Sequence, residues 1–443
     1  MELIGSDHAR YDEERAIFNA MIDRRPAIIA KCTSVRDVQD ALALARDKDM
    51  PVAVRAGGHS VAGFCLNDGG VVIDVRRMNA VDVDPERRTA RVGAGATWGE
   101  FDRATQEHGL ATTGGRVSTT GVAGLTLGGG SGWLERRHGL ACDNLVSVDL
   151  VTADGRTVTA SEDEHPELFW ALHGGGGNFG IATSFEFALH PVGPEVLAGL
   201  LVWPGDAGYE VSRSYRDMAF DAADELGSAL VFLTGPPEEF IPEHLQGQTL
   251  AAVALLWAGD VAEGEDAIAD LRALRPEVDL VGPMPYADFQ CMIDDPPGLG
   301  NYWSADYHDT FPDDALDIFV KYGFERPSPA SQQLLVPWGG AIARVPDDAS
   351  PMTHRDVRWI SHPFAMWDAS EDATANIEWA QSFRRDIAAH TNGGVYLNFI
   401  GHEGEERIKA AFGEDKYRRL QQVKADWDPD NVFQGNQNIR PAG

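Results

Sequence analysis

The sequence predicts an α+β protein of two domains, and three observations carry that prediction. At 443 residues the chain exceeds what one hydrophobic core usually supports. Its first 194 residues open on a strand–helix–strand pattern and then become rich in glycine clusters. From 195 to 395 strand-like runs alternate with helical ones, as in an antiparallel sheet backed by helices. The last segment, 396–443, carries polar and aromatic motifs and is expected to return to the first domain.

The elements follow in order. Asp12-Glu13-Glu14-Arg15 leads into Ala16, Ile17, Phe18, Met21 and Ile22, apolar at helical spacing, which predicts a first helix. Pro26 to Ala30 reads as a buried strand. Ser34 caps a helix over Val35 to Lys48, with Val38, Ala41, Leu42 and Ala45 on one face. Pro51 to Val54 is a strand that runs into a glycine turn at 57–58. Further strands are expected over 70–75 and 89–94, a helix from Trp98 to His108, and a hairpin about Asp154-Gly155. Gly174 to Gly180 precedes an alternating strand, Ile181 to Leu189. His190-Pro191-Val192-Gly193-Pro194 breaks that pattern and marks the domain boundary. Beyond it, strands are expected at Val196–Trp203, Ser228–Thr234 and Leu250–Trp257, and helices at Tyr209–Ala222, Asp260–Leu274 and Asp314–Lys321.

The formal net charge is -32. No basic footprint is present, so nucleic acid and anionic membrane are not expected partners. Lysines are few beside arginine. That fits a protein adapted to high salt, and equally an acidic enzyme from a GC-rich genome. Cys32, Cys65, Cys142 and Cys291 are scattered with no CxxC pair, as expected of free thiols in a reducing cytoplasm. The N-terminal residues have no basic and apolar regions of a signal peptide, and no apolar run approaches a membrane span. A cytoplasmic protein, monomer or homodimer, is the expectation.

The glycine loops carry the chemistry. A flavin dinucleotide needs backbone amides for its pyrophosphate, close chain approach to a flat ring, and hydrogen bonds at the ring edge. Adjacent glycines supply the first two. Loops 55–63 and 114–132 suit such a cofactor. Gly175-Gly176-Gly177-Asn178-Phe179-Gly180 matches G-x-G-x-x-G in letters only. It follows a helical run and precedes a strand, the reverse of a dinucleotide-binding βαβ unit. No Gly-Lys-Ser/Thr and no HExxH occurs. His354-Arg355-Asp356 has no partner ligands at metal spacing, so no metal is expected.

Four motifs together resemble the berberine-bridge-enzyme-like branch of the vanillyl-alcohol-oxidase flavoproteins, with its PCMH-type FAD-binding domain of two α/β subdomains. The first is Val54-Arg55-Ala56-Gly57-Gly58-His59-Ser60, with Gly63 after it. The second is Gly121-Val122-Ala123-Gly124-Leu125-Thr126-Leu127-Gly128-Gly129-Gly130-Ser131-Gly132, followed by His138-Gly139-Leu140 and Asp143-Asn144, with Gly115, Ser118 and Thr119 just before it as further candidates for cofactor contact. The third is Asp163 to Leu172 followed by Asn178, Gly180 and Ile181. The fourth is Tyr396-Leu397-Asn398-Phe399, Asp428 to Phe433, and Asn436-Gln437-Asn438.

The resemblance implies FAD bonded through an 8α-histidyl link to His59, with these loop residues around the cofactor. Many members carry a second link from a cysteine where this chain has Val117, so a single attachment is expected. It also implies oxidation of a C–OH or C–N bond by hydride transfer to flavin N5, with dioxygen as acceptor and a small molecule as substrate. A flavin dehydrogenase with another acceptor, an oxidative-cyclisation enzyme and a flavin binder without turnover remain open. Tyr396 is the expected base. A phenol titrates near 10, so it needs a neighbouring charge or second donor. Strand alternation puts Tyr396 and Asn398 on one face, and Asn436 and Asn438 likewise share one. Asn301-Tyr302-Trp303, Gln332-Gln333 and Trp359-Ile360-Ser361-His362 are candidates for the substrate face, and core packing is the plainer reading of most of them.

Overall fold

A computed structural model describes all residues, Met1–Gly443. Three large sheets organise it, beside a two-stranded ribbon of Leu110–Ala111 and His190–Pro191. In the first, of four strands, Ile28–Lys31 and Val52–Arg55 run parallel to Val71–Asp74 between them, and Glu2–Gly5 closes the edge antiparallel. The crossover between the parallel strands is the helix Val35–Asp47. Ser34 Oγ accepts from Asp37 N at 3.2 Å, and the buried face is Val38, Ala41, Leu42 and Ala45. Spacing of three and four puts those side chains on one stripe, as the sequence predicts.

The second sheet has five antiparallel strands, in the order Val81–Asp84, Thr89–Gly93, Ile181–Ala188, Leu145–Val151 and Thr157–Ser161. The helix Trp98–Gln106 packs beside it, started by a reciprocal capping box between Thr97 and Glu100. The third sheet has nine antiparallel strands, all drawn from residues between Glu195 and Asp368. Helices Gly208–Ala219, Asp313–Phe324 and Thr374–Ile387 cover one face through Phe232, Phe319, Leu335, Trp359 and Phe383. The other face, with Ala229, Ala254, Val336 and Ile360, joins the core of the first two sheets. The mixed architecture is the one the sequence predicts. No helix is long and apolar enough to cross a membrane.

Local predictions fail in three places. The first helix is only Tyr11–Glu14. Arg55 Nη1 takes the Glu14 carbonyl at 2.5 Å, Phe18 N bonds the Gly58 carbonyl, and the Asn19 amide reaches Val61 O and Asn301 O. Long-range partners thus claim the backbone that helix periodicity promised. The helix expected over 260–274 is broken into Val261–Ala267 and Ala269–Ala273. Leu397–Phe399 is a 3-10 turn, not a strand, because the Phe399 amide closes back on the Tyr396 carbonyl at 3.0 Å.

Candidate active site

The strand Val52–Arg55 ends beneath a glycine turn. Arg55 is fully buried and pairs with Asp74 at 2.6 Å, anchoring the turn from below. Gly58 and Gly63 have φ of 78° and 70°, which glycine adopts freely. A Cβ on Gly57 would lie 2.2 Å from Gly121 N, and one on Gly121 would lie 2.3 Å from Gly57 N. The two predicted loops therefore touch backbone to backbone. Ala56 is partly buried beside this contact, and Ser60 Oγ accepts from Phe64 N at 3.0 Å. The backbone N–H groups of Gly57, Gly58, His59, Val61 and Ala62 donate to nothing within the protein, while that of Ser60 faces the Cys65 sulfur.

His59 projects from this turn. Its Nε2 lies 2.9 Å from Thr119 Oγ1, and its ring stacks on Phe18 with centroids 4.3 Å apart. Its Nδ1 makes no hydrogen bond to the protein. Burial lowers the imidazole to about 4, with Asp294 opposing, so the ring is neutral near pH 7. Val117 lies in the same loop and offers no thiol. Ser118 is fixed from the third sheet's side: its N and Oγ donate to Asp294 at 2.6 and 2.5 Å. Sequence reasoning missed Asp294. The next carboxyl, Asp295, is pushed up to about 7 by burial and then by repulsion from Asp294.

Gly121 begins the short helix Val122–Leu127, and Gly124 on it faces open space. Gly115 packs on Trp98 and Leu125, and Gly132 touches the Gly114 carbonyl. Asn398 Nδ2 donates to Leu125 O at 2.9 Å and to Tyr396 Oη at 3.0 Å. A Cβ on Gly128 would collide with that amide. Gly129 and Gly130 take φ of 115° and 96°, which aims the N–H groups of Gly130 and Ser131 at Tyr396 Oη, each at 2.8 Å. Tyr396 and Asn398 therefore meet through a turn, not through the strand alternation read from the sequence. Burial pushes the Tyr396 phenol upward, against these three donors.

The third motif behaves differently. The Asn178 amide is spent inside the protein, on Gly175 O, Gln437 O and Ile439 N. It sews the C-terminal segment to the second sheet, where Gly180 packs on Leu150 and Ile181 starts a strand. Asn436 Nδ2 bonds Phe433 O and Gly177 O. The side-chain oxygens of Asn436 and Asn438 are buried and unpartnered, and Gly177 faces open space.

The wall beyond His59 is aromatic. Trp303 meets Phe18 edge-on at 5.9 Å and stacks on Phe364 at 4.1 Å. His362 stacks on Phe399 at 4.5 Å. The residues fit a flavin dinucleotide on three counts. A run of undirected backbone N–H groups suits a pyrophosphate. Glycines at 57, 121, 124 and 177 leave contact or open space where side chains would intrude. Unpartnered amide oxygens at Asn436 and Asn438 leave polar capacity to be met. Cys32, Cys65 and Cys142 are buried and Cys291 is partly so, all as free thiols. His354, the doubtful metal candidate, accepts from the Asn392 amide, and Arg355 pairs with Asp143.

Comparison with known proteins agrees with this geometry. Residues 26–161 match the FAD binding domain family, and residues 395–440 match the family described as berberine and berberine like. An uncharacterised FAD-linked oxidoreductase of Bacillus subtilis, YgaK, is 30% identical over 99% of this chain and 96% of its own. (R)-6-hydroxynicotine oxidase of Paenarthrobacter nicotinovorans is also 30% identical, over 100% of this chain and 97% of its own. The crystal structure of 6-hydroxy-D-nicotine oxidase from Arthrobacter nicotinovorans superposes with a TM-score of 0.89 at 28% identity, covering 100% of this chain and 98% of that one. The chain therefore belongs to the berberine-like family of FAD-linked oxidoreductases and is an enzyme of the PCMH-type fold.

Proposed function

We propose that the chain holds FAD by a single covalent bond from His59 to the 8α position of the flavin and oxidises a C–OH or C–N bond of a small molecule. Dioxygen takes the electrons and leaves as hydrogen peroxide. The observation that carries the reading is the state of His59. Nε2 is engaged by the Thr119 hydroxyl at 2.9 Å, Nδ1 meets no protein partner, and burial holds the ring neutral, the state in which an imidazole is a nucleophile. When bound, the flavin supplies a hydride acceptor at N5 and a carrier that dioxygen reoxidises. The chain's own residues do the rest. The N–H groups of Gly57, Gly58, His59, Val61 and Ala62 bind phosphate oxygens, Phe18 fixes the imidazole plane, and the glycine loops admit the ring. Val117 leaves His59 as the one covalent anchor. The oxidase name of a relative of this length favours dioxygen over another acceptor.

Tyr396 enters this reading differently from the sequence expectation. A base needs a lone pair directed at the substrate proton. The donors such a base needs are there, Gly130 N–H, Ser131 N–H and the Asn398 amide, but burial outweighs them and still pushes the phenol up. Its role in the proposal is to hold the 129–131 turn in place. Likewise Asn178 anchors the C-terminal segment and does not offer its side chain to the cofactor.

His59→Ala tests the attachment. The variant is expected to release its FAD on acid precipitation, while retention equal to wild type removes the link. Peroxide formed in step with substrate oxidation supports the oxidase reading. Turnover that needs an added dye and yields no peroxide makes the enzyme a dehydrogenase.

A further inference from the structure

On the face of the nine-stranded sheet turned toward the FAD-binding core, one buried side chain has a lone pair with nothing to receive; Gln333 Oε1, also unpartnered, lies on the helix-covered face with Leu335. His362 lies in the strand Trp359–Asp368 and is only 2% exposed. Its Nδ1 sits 2.7 Å from the Ser304 carbonyl. A carbonyl oxygen only accepts, so Nδ1 carries the ring proton. Nε2 is then a bare acceptor, and it is buried without a partner. Such a group costs free energy unless something arrives to satisfy it.

Its position says what arrives. In the antiparallel pairing His362 stands opposite Leu334, and Phe364 opposite Gln332. These share the sheet face of Val336 and Ile360, which packs toward the FAD-binding core, not toward the helices. The ring is clamped between named neighbours: stacked on Phe399, with Trp303 edge-on at 5.8 Å. Trp303 meets Phe18, and Phe18 stacks on His59. One continuous aromatic wall thus connects the proposed anchor of the flavin to the bare nitrogen.

Resting on the flavin-oxidase reading above, we infer that His362 Nε2 is the group that accepts the hydrogen bond, and then the proton, of the hydroxyl or amine being oxidised. The balance is simple. The substrate loses its O–H or N–H proton to Nε2, and its C–H hydrogen leaves with the electron pair to the flavin. The remaining bond becomes C=O or C=N, and dioxygen is the terminal oxidant. Burial lowers the imidazole to about 4, which keeps the lone pair free near neutral pH. Stacking and the Ser304 bond fix the ring, so Nε2 needs no reorganisation to receive the proton.

Two measurements on the holoenzyme test this. The first uses no substrate. Nitrogen-15 NMR of histidine-labelled protein, with His362 assigned by difference against His362→Gln, should show a proton on Nδ1 and none on Nε2. A proton on Nε2 overturns the inference. The second uses whichever member of a panel of small alcohols and amines bleaches the wild-type flavin without oxygen. His362→Gln and His362→Phe should bleach at least about 100-fold more slowly, with FAD content and visible spectrum unchanged. Bleaching within about threefold of wild type overturns the inference. So does loss of FAD or a shifted spectrum in both variants, because Nε2 then serves the cofactor. If no alcohol or amine bleaches the wild type, the proposed reaction fails, and the tautomer still judges His362 by itself. His362→Gln keeps the test open if the larger phenyl change prevents folding.

Discussion

His59 Nε2 and Thr119 Oγ1 lie 2.9 Å apart, and they join by side chains the two loops that Gly57 and Gly121 already join by backbone. The hydrogen bond selects which imidazole nitrogen is left free. Thr119→Val removes it while nearly keeping the volume. A neutral hydrogen bond contributes about 0.5–1.5 kcal/mol, so covalent incorporation should slow by roughly two- to tenfold. The time course of acid-stable flavin after adding FAD to apoprotein measures this, and an unchanged course assigns the bond no part in attachment.

The Gly57–Gly121 contact leaves no room for a methyl group. Gly121→Ala would place Cβ 2.3 Å from backbone nitrogen, so one loop must move. Overpacking of this kind costs about 1–3 kcal/mol. The expected result is a lower Tm together with reduced flavin content. A variant with full flavin and wild-type Tm refutes the close approach.

Removing the Tyr396 hydroxyl strands two buried backbone donors. Each costs about 1–3 kcal/mol when unpaired. Tyr396→Phe should therefore destabilise the protein and loosen FAD, with flavin reduction in the retained fraction slowed less than about tenfold. A loss above about 100-fold in a stable, fully loaded variant returns the base role to Tyr396.

Asp102 gives a pH signature. It is fully buried, accepts from the Gln290 amide at 2.7 Å through one oxygen, and leaves the other without a partner. Burial raises its carboxyl to about 7. The folded state therefore binds a proton that the unfolded chain releases near 4. Its contribution is fully present below about pH 4 and is lost as pH rises through about 7. At about 1.4 kcal/mol per pH unit the ceiling is a few kcal/mol. Urea unfolding of Asp102→Asn from pH 5 to 8 should show a flatter fall in stability than wild type. Parallel curves exclude Asp102 as the source.

Much of this was legible in the sequence, and the reasons are local. Val38, Ala41, Leu42 and Ala45 report a helix because their spacing alone decides which face is buried. Gly57, Gly121 and His59 report a site because few other residues fit such turns. What stayed illegible depends on distant partners. Phe18 looked like the apolar face of a helix, yet its segment is unwound by Arg55 and folded over His59. Asp294 sits in an unpatterned loop and gains meaning only from Ser118, far away in sequence. His362 read as sheet packing, because only the fold shows that one of its nitrogens is spent and the other is not.

The central claim is one flavin on one histidine. Holoenzyme is denatured in acid, digested, and the peptides are sorted by flavin absorbance and weighed. A single flavin peptide is expected, the one containing His59, heavier by one FAD, with the peptide containing Val117 unmodified. FAD released quantitatively into the acid supernatant, or found on any other residue, would contradict it.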